Sequence, residues 1–175
     1  MAISKEIIEK QIGRKVIGYR QPRMFEVSDK ELARCGYKYN SSINPAFIPG
    51  KYMHLNVSRT AFEKDGLLQI PASVTPYSRI PMFWLSLHTY PLSTYKIFAN
   101  QILKHDGYFM TYFHPWEFVD HPNNINKYML PIVNHNNGTN MCKRLDKLIK
   151  YFKEQGRDFA TFESFMLSYK QEKGM

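Results

Sequence analysis

The stretch Tyr108-Phe109-Met110-Thr111-Tyr112-Phe113-His114-Pro115-Trp116-Glu117 decides how this chain reads. Its first six residues follow Asp106-Gly107 and are apolar and aromatic, the pattern of a buried strand. Pro115 cannot donate to a ladder and stops the strand. His114 and Trp116 then fall at the strand's carboxyl end, where barrels and open α/β sheets do their chemistry. A histidine placed there is a candidate general acid or base, and a neighbouring tryptophan a candidate pocket wall.

Helical and extended segments alternate on the amino-terminal side. Ile3, Ile7, Ile8 and Ile12 share one face of a helix over 3–12, with Ser4 as a cap and Gly13 as a stop. Residues 15–20 read as a short strand ended by Gln21-Pro22-Arg23. Ser28 and Glu31 have capping-box spacing for a helix that closes at Cys35-Gly36. A strand and polar turn over 37–43 follow. Residues 44–66, with Pro45, Pro49, Gly50 and Gly66, show no sustained period and predict a long surface excursion, a kind of loop that is often functional. A brief strand over 66–71 leads into a second irregular stretch that runs to Pro91.

Further along, a helix over 93–105 turns Ile97, Phe98, Ile102 and Leu103 inward. Residues 122–138 are Asn-rich, a loop by composition. The clearest helix spans 139–155, with Thr139 as a cap and Cys142, Leu145, Leu148, Ile149 and Phe152 on its inner face. Residues 158–162 predict a last strand and 163–173 a closing helix. This alternation predicts an α/β fold with a largely parallel sheet and crossover helices. The length of 175 residues predicts a single domain over 1–175.

Composition narrows the function classes. Twelve Tyr and twelve Phe suit either an aromatic core or a sugar-stacking cleft. Cys35 and Cys142 are too few for a disulfide framework or a zinc knuckle and read as reduced thiols. The first residues lack the apolar core of a signal peptide, and no run approaches the roughly 18 apolar residues of a membrane span. A cytoplasmic protein with no membrane span is the expectation. The net charge of +9 is spread along the chain without a dense basic block, and no nucleic-acid-binding motif has the right spacing. No nucleic-acid partner is expected. His54, His88, His105 and His135 read as loop or surface residues. Glu117 and His121 lie near His114, but their spacing fits neither a helical pair nor a usual zinc motif.

Several stretches, in order, resemble the polysaccharide deacetylase family, the NodB-homology domain of carbohydrate esterase family four. Gly18-Tyr19-Arg20-Gln21-Pro22 resembles its G-[FY]-R-x-P motif, and Gly36-Tyr37-Lys38-Tyr39-Asn40-Ser41-Ser42-Ile43 its G-Y-x-Y-D-S-S-I segment. Leu68-Gln69-Ile70-Pro71 resembles the family's L-x-E-x-P strand. His114-Pro115-Trp116-Glu117 resembles its fifth motif, and residues 156–162 its closing G-x-x-F-x-T strand. The resemblance implies an incomplete, distorted (β/α) barrel with largely parallel strands, this chain being the carboxyl-terminal part. It implies metal-dependent hydrolysis of an N-acetyl carbon–nitrogen bond on a carbohydrate. It makes His114 the general acid, Arg20 the residue that positions the base, and Trp116, Tyr19 and Pro22 substrate-binding residues.

The family's metal and base motifs, like T-F-D-D-G and H-x-x-x-H, precede the G-[FY]-R-x-P strand. Only nineteen residues precede Arg20 here, and no Asp-Asp pair or histidines at i, i+4 occur in the chain. No metal ligand is therefore assigned in this chain, although the complete family site holds a divalent metal such as zinc. Metal binding takes water from a pKa of about 15.7 to about 7, and a general base contributes roughly 10²–10⁴ in rate. Without both, the chain alone is expected to be inactive, and to associate with itself or with an upstream chain that completes the barrel. The alternative is a non-catalytic glycan-binding or assembly domain. Asn40 stands where the family segment has Asp, so a charged partner for His114 would have to come from elsewhere if Asn40 faced it.

Overall fold

The computed structural model describes residues 1–24, 27–48, 52–53, 55–120 and 136–174. They group into two compact units: Met1–Asn44, Ser58–Pro71 and Phe159–Met175 in the first, and Pro45–Val57 and Ala72–Asp158 in the second. His54, His121, His135 and most of the Asn-rich stretch lie outside the described residues.

The first unit is a mixed α/β layer. Its strands are β1 (Gly18–Tyr19), β2 (Tyr39–Asn40), β5 (Phe62–Lys64) and β6 (Leu67–Gln69), in the order β1-β2-β6-β5. β1, β2 and β6 run parallel, and β5 is an antiparallel edge strand. The sheet expected from the sequence is thus present in part, as an open sheet. Alternation along β6 sorts its side chains. Leu67 packs with Leu32 of α2 (Asp29–Arg34), whereas Leu68 packs with Met166 of α6 (Phe162–Lys173). A helix on each face is why all three β6 residues are buried. Gly18 is required beside β2, because a Cβ there would run into the Tyr39 ring, which stacks on Phe162 at 5.4 Å.

Local signals placed the helices of this unit well. Ser28 Oγ accepts from the Glu31 N–H, the cap that its spacing predicts. α1 (Ala2–Ile12) stops at Gly13 in the left-handed conformation. Its isoleucine face is another matter: Ile3, Ile7, Ile8 and Ile12 are all exposed. The helix uses its charged side instead. Lys5 pairs with Glu9 at 2.9 Å, and the Glu9 carboxylate also accepts the Val16 N–H at 2.8 Å. The strand expected over 158–162 is not formed. Thr161 accepts from the Ser164 N–H and so caps α6 rather than entering a ladder.

The second unit is mainly helical. Its core joins Leu87 of α3 (Trp84–Thr89), Tyr95, Ala99 and Ile102 of α4 (Leu92–Asp106), and Met141, Leu148 and Phe152 of α5 (Thr139–Glu154). Ile97 and Cys142, expected inward, are exposed. A small antiparallel pair, β3 (Phe47–Ile48) with β4 (Tyr52–Met53), lies within the long excursion. The Arg79 guanidinium ties that excursion down through the carbonyls of Val57 and Leu55.

Residues 108–113 form no ladder strand. Met110 accepts from the Ser73 N–H at 3.0 Å, but the return bond runs from the Met110 N–H to the Ser73 hydroxyl. The Ser73 carbonyl, which a ladder would need, is already bonded to the Met82 N–H. Aromatic packing holds the segment instead, with Phe109 and Phe113 against the helical core. Among the described residues no helix is long and apolar enough to cross a membrane.

Candidate functional site

Residues 114–118 show why His-Pro-Trp-Glu makes a rigid turn. His114 is extended, Pro115 opens a single 3₁₀ turn over Pro115–Phe118, and Glu117 stands three residues after His114. Pro suits that first position because it has no N–H to leave unpaired. Glu117 reaches back to accept the His114 N–H at 2.6 Å, while its own N–H donates to the His114 carbonyl. The same oxygen, Oε1, lies 2.7 Å from His114 Nδ1.

The other carboxylate oxygen of Glu117 meets a residue that the sequence reading placed at the surface. His88 Nε2 lies 3.2 Å from Glu117 Oε2, and both side chains are fully buried. His88 belongs to α3, within the stretch read as irregular. Its helix is pinned from behind: Arg144 of α5 donates to the carbonyls of Leu87 and Tyr90, and Asn136 donates to the carbonyl of His88. Burial pulls the Arg144 guanidinium below its ordinary pKa.

Aromatic rings wall the centre. Trp84 sets its edge or face against His88, His114 and Trp116, with ring centroids 5.4–5.8 Å apart. Trp116 stacks on the His114 imidazole at 5.7 Å, and Tyr112 meets it edge-on at 5.9 Å. The His114 side chain is 41% exposed while the Glu117 beneath it has no exposure. A half-open imidazole above a buried carboxylate, between tryptophans, can exchange a proton with a bound molecule and give it an apolar wall.

Arg20, Tyr19 and Pro22 belong to the first unit, whereas His114 and Trp116 belong to the second. Arg20 lies at the carboxyl end of β1 and donates to Ser41 Oγ at 2.8 Å, which donates in turn to the Ile70 carbonyl. The three parallel strand ends are thereby tied together. The Tyr19 hydroxyl donates to Gln21, its ring meets Tyr37 edge-on, and Pro22 opens an exposed 3₁₀ turn.

Asn40 is committed inside the first unit. Its amide donates to Asp29 at 3.0 Å and its oxygen accepts from the N–H and hydroxyl of Ser42. Asp29 also accepts from Gln69 and pairs with Lys64 at 3.1 Å. The carboxylate that His114 meets is Glu117.

The divalent metal implied by the resemblance does not fit these groups. Glu117 is engaged by the two histidines and a backbone N–H, and Asp29 by two amides and a lysine. Among the described residues no group of three or more His, Cys, Asp or Glu is placed to hold a metal ion.

The fold and site thus define a mixed α/β protein with a buried-glutamate, two-histidine centre walled by tryptophan. Residues 41–165 match the family described as a domain of unknown function, DUF3473, and the chain belongs to that family. The matched region contains His88, His114, Trp116 and Glu117 and leaves out Tyr19, Arg20 and Pro22. The comparison with curated proteins and that with solved structures each gave no match.

Proposed function

We propose that this chain carries the proton-donating side of a polysaccharide-deacetylase-type centre that hydrolyses an N-acetyl amide on a carbohydrate. The observation that carries the reading is His114: half-exposed, stacked on Trp116, and held through Nδ1 by a buried carboxylate. Amide hydrolysis yields acetate and a free amine. As the carbon–nitrogen bond breaks, the amine nitrogen takes a proton from Nε2 of a doubly protonated His114, which is left as the neutral ring with Nδ1–H on Glu117. Such a donor contributes roughly 10²–10⁴ in rate. The five motif resemblances support the substrate class, and the barrel is part of the same proposal. The attacking water is activated by groups that these described residues do not supply.

A second reading has its own support in the aromatic walls: a glycan-binding module without chemistry. Trp84 and Trp116 are the chain's only tryptophans, so selectively excited tryptophan fluorescence reports on this centre. Titration with N-acetylglucosamine oligomers should give a saturable change that Trp116→Ala abolishes. No change with any acetylated oligomer would remove both readings. Acetate release decides between them. The chain alone, with zinc added, should release none. Mixed with a polypeptide bearing the Asp-Asp and His-x-x-x-His motifs, it should release acetate, and His114→Ala should slow release roughly 10²–10⁴-fold. Binding without release in any mixture would leave the binding module.

A further inference from the structure

The Glu117 carboxylate touches both imidazoles, and its contacts dictate where each ring keeps its proton. Oε1 already accepts the His114 backbone N–H, an unambiguous donor, and the Nδ1 that lies 2.7 Å from the same oxygen is read as its second donor. His88 is constrained from both ends. Its Nε2 faces Oε2, while its Nδ1 is buried without a hydrogen-bond partner among the described residues. A buried N–H with no acceptor is rarer and costlier than an under-used lone pair. The neutral His88 ring therefore keeps its proton on Nε2 and donates it to Glu117.

We propose that Glu117 and His88 are positioning residues that lock the neutral His114 ring as its Nδ1–H tautomer, so that Nε2 is the nitrogen that takes up a proton and, from the doubly protonated ring, gives it to the leaving amine. The inference rests on the reading of His114 as the acid. It goes further in assigning the residues that act through it. An imidazole's tautomer follows the bond made by its other nitrogen, and a buried carboxylate serves this end in serine-protease triads. The lock here has a second anchor. His88 holds the far oxygen from α3, and Arg144 and Asn136 hold the last turn of α3. The carboxylate's orientation is thus set by the helical core rather than by the short turn that carries it. The family segment's aspartate position is filled by Asn40, whose amide is spent on Asp29 and Ser42, so the charge facing His114 is supplied from inside the His-Pro-Trp-Glu turn.

The test is nuclear magnetic resonance on the ¹⁵N-labelled chain at about pH 8.5, roughly two units above the ~6.5 of free imidazole. Long-range ¹H–¹⁵N correlations read each ring's tautomer, with His88→Phe and His114→Asn used for assignment. Free imidazole side chains prefer Nε2–H, so the expected Nδ1–H form at His114 is distinguishable from no lock at all. His88 should show Nε2–H. Glu117→Gln keeps the backbone cap but offers one oxygen and one amide group. His114 should keep Nδ1–H there, while His88 switches to Nδ1–H to accept from the amide. A purely structural cap would leave His88 unmoved. Nε2–H at His114 in the unsubstituted chain, or an unchanged His88 in Glu117→Gln, overturns the proposal. These readouts need no substrate, so they fail or hold separately from the acetate-release experiment that judges the acid itself.

Discussion

Replacing Glu117 with leucine removes the acceptor of three donors at once, and the cost follows from where each donor is left. His88 Nε2–H stays fully buried with nothing to meet, a penalty of about 1–3 kcal/mol. The His114 N–H loses its cap, at about 0.5–2 kcal/mol. His114 Nδ1 is on a half-exposed ring and turns to water at little cost. The sum is about 2–5 kcal/mol, a large part of the ~5–15 kcal/mol that holds an ordinary domain. Glu117→Gln keeps the cap and should lose only about 1–3 kcal/mol, because His88 then buries an N–H at Nδ1.

Urea unfolding followed by tryptophan fluorescence measures this within the second unit, where both tryptophans lie. With a slope near 1–3 kcal/mol/M, the leucine variant's midpoint should fall by about 1 M or more. His88→Phe in the leucine background removes the orphaned donor and should restore part of the loss, giving a coupling of about 1–3 kcal/mol. Unfolding free energies for both Glu117 variants within about 0.5 kcal/mol of the parent, or strict additivity with His88→Phe, would refute the reasoning.

Three other outcomes are expected. Gly138→Ala should destabilise the second unit by about 1–3 kcal/mol from backbone strain, since Gly138 sits at φ 58°, ψ −128°. Its added Cβ would also strike Asp120, which accepts from the Thr139 N–H and hydroxyl at the start of α5, and the same urea assay reads the loss. Arg144→Met should cost about 1.5–3 kcal/mol by freeing the Leu87 and Tyr90 carbonyls, and it should perturb the His88 ring resonances through α3. Tyr95 sets an alkaline limit. Burial pushes its phenol up, so the native state keeps a proton that the unfolded chain loses near pH 10. Stability is complete below about pH 10 and falls above it. Tyr95→Phe should flatten that alkaline limb in a pH series of unfolding midpoints. At neutral pH it should cost under about 1 kcal/mol, because the hydroxyl's contact with Thr111 is long, at 3.4 Å.

Part of the site was legible in advance. His114 and Trp116 stood out because proline marks the turn, and the same spacing that made Ser28-x-x-Glu31 a cap also holds for His114-x-x-Glu117. That spacing puts the Glu117 side chain within reach of the His114 N–H and points to Glu117. A further signal went unused at Asp65-Gly66, where both residues take positive φ and close the β5–β6 hairpin. The strand expected at 108–113 failed for a different reason. An aromatic run is extended by preference, but a ladder needs a free carbonyl opposite, and the one at Ser73 is bonded elsewhere.

Sequence by itself determined the local pieces: helix limits at Gly13 and Ser28, and the turn that carries His114. Those follow from caps, φ preferences and hydrophobic period, all settled within a few residues. Only the tertiary structure decided that the isoleucine face of α1 is exposed, that His88 is buried, and that it meets Glu117 across 29 positions of chain. Burial and proton placement depend on which group stands opposite in space, and no periodicity along the chain carries that information.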